Sequence, residues 1–214
     1  MKKNKALKMV MRRLPQVLFL ALFIVLILTG KVQLWIALFG LSIIAAFFAG
    51  RIYCGWICPI NTVMKGVSWL KKKLGVRSFA TPAWLKRDAV RYTALGVFLA
   101  LFVFTMISGK RLPVLPALLV LGVFLTIFFE EALWHRYLCP YGTILKWPAT
   151  LSRRAVIIDP KTCKNHGDCY RVCPAAAVSK EQTVHVIDKS ECLVCMTCVM
   201  HCSERAIAYR KVEN

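Results

Sequence analysis

Residues 47–65 read FFAGRIYCGWICPINTVMK, and residues 128–146 read FFEEALWHRYLCPYGTILK. They align at an offset of 81, with Cys58-Pro59 on Cys139-Pro140, Thr62 on Thr143 and Lys65 on Lys146. Upstream, residues 17–31 (VLFLALFIVLILTGK) align with residues 96–110 (GVFLALFVFTMISGK) at an offset of 79. Matching apolar letters alone carry little weight, because all apolar helices look alike. The shared Cys-Pro, Thr and Lys positions beyond the apolar run carry more. Residues 1–150 therefore read as a duplicated helical hairpin.

Four apolar runs organise this part, at 14–30, 34–50, 92–109 and 112–129, and none contains Asp, Glu, Lys, Arg or His. Each approaches the roughly 20 residues that cross a hydrocarbon core, where a buried charge is costly. With 58% hydrophobic residues and a mean hydropathy of +0.57, the chain is expected to be an α-helical membrane protein with four transmembrane helices. Lys and Arg number six before residue 14, nine in 51–91 and twelve after residue 129, against one and two in the other connections. Basic residues collect on the cytoplasmic side. Both termini are thus expected in the cytoplasm and the chain in the cytoplasmic (inner) membrane. The formal net charge of +20 is then a topology signal, and nucleic acid is excluded as its explanation.

The first run reads as a retained helix, since no small-residue cleavage pattern follows it and a second run begins almost at once. The 61–91 connection mixes Trp69, Phe79 and Trp84 with basic residues, as a segment lying on a lipid surface does. Two hairpins of one orientation are related by a pseudo-twofold along the membrane normal, which would bring the two Cys-Pro segments together. All ten cysteines would face the reducing side, where they serve as metal ligands or redox groups rather than disulfides.

The tail is a second duplication. Residues 157–178 (IIDPKTCKNHGDCYRVCPAAAV) pair with 186–207 (VIDKSECLVCMTCVMHCSERAI) at an offset of 29. β-prone stretches at 155–159, 183–187 and 206–209 flank the cysteines, so residues 151–214 are expected to form a small α+β domain. Cys192, Cys195, Cys198 and Cys202 have the C-x2-C-x2-C-x3-C spacing of bacterial ferredoxins, in whose two-cluster form the fourth cysteine of each run ligates the other cluster. A structural zinc site has a different number and spacing of thiolates. One cluster then takes Cys192, Cys195, Cys198 and Cys173. The other takes Cys163, Cys169 and Cys202, with His166 standing where the second cysteine of the first run belongs.

Three readings of that position compete: His166 ligates the fourth iron; the corner is empty or filled by water, an empty one leaving [3Fe-4S]; or His166 is a solvated loop residue. At the membrane edge, Cys54 and Cys58 align with His135 and Cys139. This Cys3His set would hold a third cluster or another metal; the alternatives are a redox-active thiol pair and a structural Cys-Pro helix stop. Glu130 and Glu131 stand where the first repeat has Ala49 and Gly50, so the architecture does not require them. They are candidate acceptors of quinol protons beside His135, although a wet interface explains them equally. His185 and His201 receive no role.

At these residues the chain resembles the NapH/MauN-type membrane ferredoxins, accessory proteins of periplasmic nitrate reductase and related respiratory systems, within a wider group that includes NosR/NirI- and CcoG-type proteins. The resemblance spans nearly the whole chain. It carries the group's membrane-edge motif onto Cys54, Cys58 and Cys139, and its cluster ligands onto Cys163, Cys169, Cys173, Cys192, Cys195, Cys198 and Cys202. Departures are His135, His166 and Ser203, the last where proline often follows the final cysteine.

The resemblance implies two [4Fe-4S] clusters, lipid and the quinone pool as surroundings, and a redox partner protein in anaerobic respiration. Electrons would pass between quinol and that partner, as in a quinol dehydrogenase-type subunit. The alternative is a redox sensor or a maturation accessory for a metalloenzyme, because a three-ligand cluster is more labile. No run carries a histidine, which excludes paired-histidine haems across the bilayer.

Overall fold

The structure, a computed structural model, describes residues 2–108, 114–181 and 183–212, with side chains from residue 11 onward. In chain order it comprises helices α1 (Lys2–Leu28), α2 (Leu34–Ala49), α3 (Pro59–Lys73), α4 (Asp88–Ser108), α5 (Val114–Phe128) and α6 (Pro140–Thr150). Strand β1 (Arg154–Ile158), helix α7 (Asp168–Arg171), strands β2 (Val178–Lys180) and β3 (His185–Ile187), helix α8 (Thr197–His201) and strand β4 (Ile207–Lys211) follow. The end of the third apolar run, the start of the fourth, and Lys110 and Arg111 between them lie outside the described residues.

The four apolar runs are the helices α1, α2, α4 and α5. Two of them, over Met11–Leu28 and Asp88–Ser108, are long and apolar enough to cross a membrane; Leu34–Ala49 and Val114–Phe128 are apolar but shorter. At Gly50 a φ of 70° stops α2, a conformation glycine adopts without steric cost. Leu18, Ile24, Leu41 and Ile44, like Val97, Phe104, Val120 and Phe124, expose their side chains. An apolar surface of this extent calls for cover.

The chain divides into two compact units, residues 1–62 with 145–214, and residues 63–144. In the first, α1 and α2 pack against a π-helical turn, Tyr53–Ile57. Phe23 meets Trp35 edge to face at 5.0 Å, Phe39 meets Tyr53 at 5.3 Å, and the Trp35 indole donates to the Tyr53 hydroxyl at 2.8 Å. Such contacts combine apolar burial with a satisfied polar tip. The second unit packs α4 and α5 against a π-helical turn of its own, Leu133–Leu138. There Phe98 packs on Tyr141, and Lys71 donates to the Thr126 carbonyl oxygen and to Ser78.

The two π turns are the structural form of the repeated Cys-Pro stretch. Proline clashes with helical geometry in the residue before it, and it suits the first position of a new helix. Accordingly Cys58 (ψ 118°) and Cys139 (ψ 112°) are extended, while Pro59 and Pro140 open α3 and α6. The amide of Cys58 donates to Tyr53 O at 2.9 Å and that of Cys139 to Trp134 O at 2.8 Å, the wide i→i−5 bond typical of π turns at functional sites.

The tail folds with its own pseudo-twofold. β1 pairs antiparallel with β4, from Arg154↔Lys211 to Ile158↔Ile207, and β2 with β3, from Val178↔Ile187 to Lys180↔His185. Three of these strands match the β-prone stretches; β2, three residues long, is an addition to the sequence reading. The core is small: Val156, Ile158, Cys169, Val178, Val194 and Ile207.

Candidate iron–sulfur site

The two cysteine loops share their backbone turns at the offset of 29. Asp159 Oδ1 accepts from the Lys161 amide at 3.1 Å, and Asp188 Oδ1 from the Ser190 amide at 2.9 Å. The amides of Asp159 and Asp188 donate to Ala206 O and Ala177 O, each at 2.8 Å. Each loop then passes through left-handed backbone at matched places: Asn165 with Val194, Gly167 with Met196, and Ala176 with Arg205. For a β-branched residue such as Val194 this is a rare conformation, of order 1–3 kcal/mol in cost. Amide N–H groups also turn onto sulfur, Val194 N on Cys192 Sγ at 3.4 Å and Ala177 N on Cys173 Sγ at 3.3 Å, bonds that stabilise a thiolate and tune a cluster.

The loops enclose two hollows. Cys163, Cys169 and Cys202 line one, together with His166 and His185. Cys173, Cys192, Cys195 and Cys198 line the other. These are the two crossed sets that the spacing suggests. Burial pushes the thiols of Cys169, Cys173 and Cys198 up, and that of Cys192 up to about 12, so metal must displace the proton from each. A single tetrahedral zinc would hold thiolates ~3.8 Å apart; among the described residues no three His, Cys, Asp or Glu groups converge on one ion. The corners of a four-iron cluster stand further apart than the ligands of one ion, and each hollow gathers its thiols from separate positions of the two loops. Clusters placed there would be held by the two sets of thiols.

His166 is exposed, with Nδ1 3.3 Å from Ser203 Oγ. Its repeat equivalent, Cys195, is buried, and its sulfur lies 3.2 Å from Thr197 Oγ1. His201 is exposed and its Nδ1 lies 2.9 Å from Thr197 O in its own helix.

Sequence reasoning missed how the four-thiol hollow is seated. Its loop rests on the first π turn. A Cβ on Gly55 would stand 2.3 Å from Leu193 O and 3.1 Å from the Cys195 Cα, so only glycine allows the approach. Trp56 Nε1 donates to Val194 O at 2.9 Å, Gln16 Nε2 to Gly55 O at 2.7 Å, and Arg12 to Thr197 Oγ1 at 2.9 Å. Beneath the loop, Arg51 and Glu191, 1% and 2% exposed, pair at 3.2 Å, and Lys146 reaches the second carboxylate oxygen of Glu191 at 2.9 Å. Glu191 precedes Cys192. The only trace of this contact in the sequence is the glycine inside Cys54-Gly-Trp-Ile-Cys58, and glycine has too many other uses to be read as a contact.

Cys54 and Cys58 are buried in the first unit, where Asn61 Nδ2 donates to the Cys54 carbonyl oxygen at 2.7 Å. His135 and Cys139 are buried in the second unit, where the Gly142 amide lies 3.4 Å from Cys139 Sγ. Gly55 thus places Cys54, one residue away, on the π turn that carries the four-thiol loop.

Comparison with known proteins agrees with this architecture. The 4Fe-4S binding domain family matches residues 32–77 and again 112–158, one match per repeat, and the 4Fe-4S dicluster domain family matches 155–203. The ferredoxin-type protein NapH of Haemophilus influenzae is 31% identical over 203 residues, covering 81% of this chain and 68% of the relative. The methylamine utilization ferredoxin-type protein MauN of Methylorubrum extorquens is 30% identical over 165 residues, covering 69% of this chain and 56% of the relative. Protein NirI of Paracoccus denitrificans is 28% identical over 175 residues, 71% of this chain but 25% of its own length. No solved structure matches the chain. With its paired Cys-Pro repeats, its two cysteine loops and this identity to NapH, the chain belongs to the NapH/MauN-type ferredoxin family.

Proposed function

We propose that the protein is a membrane-bound electron carrier that takes electrons from quinol and delivers them to a redox partner protein on the cytoplasmic side. The observation that carries this reading is the seat of the four-thiol loop on the Cys54–Cys58 turn, through Gly55 and Trp56. A redox domain tied by main-chain contact to the ends of apolar helices suits a donor dissolved in lipid. Iron–sulfur clusters, when bound, supply reversible one-electron transfer.

In this reading Cys173, Cys192, Cys195 and Cys198 hold the membrane-proximal cluster, and Cys163, Cys169 and Cys202 the other. Apolar walls of Val156, Val178 and Ile187 keep water from the first. Quinol oxidation releases two electrons and two protons, and two one-electron centres on one chain match that count. Helices α1, α2, α4 and α5 would span the membrane, both termini in the cytoplasm, their outward apolar side chains covered by lipid.

The test is anaerobic purification of the full chain in mild detergent, with iron and sulfide counts and reduction by a short-chain quinol followed by EPR. About eight irons with quinol-reducible signals are expected. Little or no iron would refute the carrier. Clusters that quinol does not reduce would favour the sensor or maturation reading, for which a hollow with only three thiols is the supporting observation.

A further inference from the structure

The two hollows differ in one wall position as well as in thiol count. The offset of 29 that superimposes the loops places His185 on Val156. Val156 lines the hollow with four thiols; His185 lines the hollow with three. Both side chains are buried, Val156 at 2% and His185 at 5% exposure. An apolar wall therefore accompanies the complete thiol set, and an imidazole replaces it where a thiol is missing.

The ring of His185 also lies against the loop at the missing corner. A Cβ on Gly167, the residue after position 166, would stand 3.8 Å from its Nε2 and 3.9 Å from its Cε1. Its Nδ1 is buried and has no hydrogen-bond partner among the described residues. A buried ring nitrogen rarely goes without a partner, and neutral imidazole is a competent ligand for iron. His166 has the opposite character: it is exposed and shares a contact with Ser203.

We propose that His185, not His166, is the nitrogen ligand of the cluster held by Cys163, Cys169 and Cys202. This rests on the reading that the hollow holds a cluster. Strand β3 supplies the ligand, from outside the cysteine run, through its imidazole ring.

Pulsed EPR of the reduced full-length protein tests the assignment. A nitrogen coupling on one of two reduced clusters is expected in the wild type and in His166→Ala. In His185→Val, which copies the residue at the equivalent position, the coupling is lost. There iron falls from about eight to about seven per chain, with a three-iron signal in the oxidised state. A coupling that survives His185→Val, or that vanishes in His166→Ala, overturns the proposal. If His185→Val fails to fold, seen as loss of the signal that Cys198→Ser also abolishes, the His166→Ala spectrum alone decides. Only about four irons in the wild type, all lost in Cys198→Ser, would overturn occupancy of the three-thiol hollow itself, an outcome distinct from failure of His185.

Discussion

Replacing Gly55 with alanine tests the seating of the four-thiol loop on the π turn. The added carbon would stand 2.3 Å from Leu193 O, where ordinary contact begins near 3.4 Å. The obstacle is backbone on both sides, so loop and turn must part by about 1 Å. Trp56 Nε1, now 2.9 Å from Val194 O, would then lie beyond hydrogen-bond range. Overpacking of this kind costs about 1–3 kcal/mol and the lost bond about 0.5–1.5 kcal/mol. Together they weaken the docked state by about 1.5–4.5 kcal/mol, roughly a 10- to 1,600-fold rise in its opening equilibrium.

Hydrogen exchange by mass spectrometry, read on peptides covering residues 190–199 of the cluster-loaded protein in detergent, would show that rise as faster exchange. Gly66 is the control, since it lies in α3 with nothing within 4 Å of its Cβ position. Gly66→Ala should be neutral or stabilising, because glycine within a helix costs about 0.5–1 kcal/mol relative to alanine. If Gly55→Ala exchanges like Gly66→Ala, the seating is wrong.

Three further outcomes follow from the same contacts. Glu191→Ala would leave Arg51 buried without its carboxylate, costing about 3–5 kcal/mol, measurable as a lower denaturant midpoint for cluster release. Hydrogen bonds from Thr162 and the Lys161 amide hold the Asp159 carboxyl below the usual aspartate range. Its stabilising contribution is therefore complete above the ordinary aspartate pKa and lost as pH falls through the lowered one; Asp159→Asn should flatten that part of an acid-unfolding curve followed by circular dichroism. Cys54→Ser and Cys139→Ser test metal at each π turn separately: each should lower the iron content, and iron analysis that stays at the wild-type value in either variant eliminates that cysteine as a ligand.

Much of the cysteine chemistry was legible because it is local. Spacing of three and four residues dictates which thiols one coil can present, and the offset of 29 carries both cysteine runs, Asp159 with Asp188, and the left-handed residues from one loop to the other. The Cys-Pro pairs likewise announced a break in the chain, since proline restricts its predecessor wherever it stands. The π turns before them were not legible, because a wide turn has no composition of its own. Strand β2 escaped for a similar reason, being three residues long.

The amino-acid order by itself determined the repeated hairpins, the apolar helices and the two sets of thiols, all of which depend on periodicity and on neighbours close in the chain. Tertiary structure alone decided that Gly55 meets Leu193, that Arg51 reaches Glu191 across 140 residues, and that His185 rather than the better-spaced His166 is buried in the three-thiol hollow. The physical reason is the same in each case. Close backbone approach, a buried ion pair and an enclosed imidazole are set by which surfaces share the same space. One-letter spacing carries no information about partners brought together from distant parts of the chain.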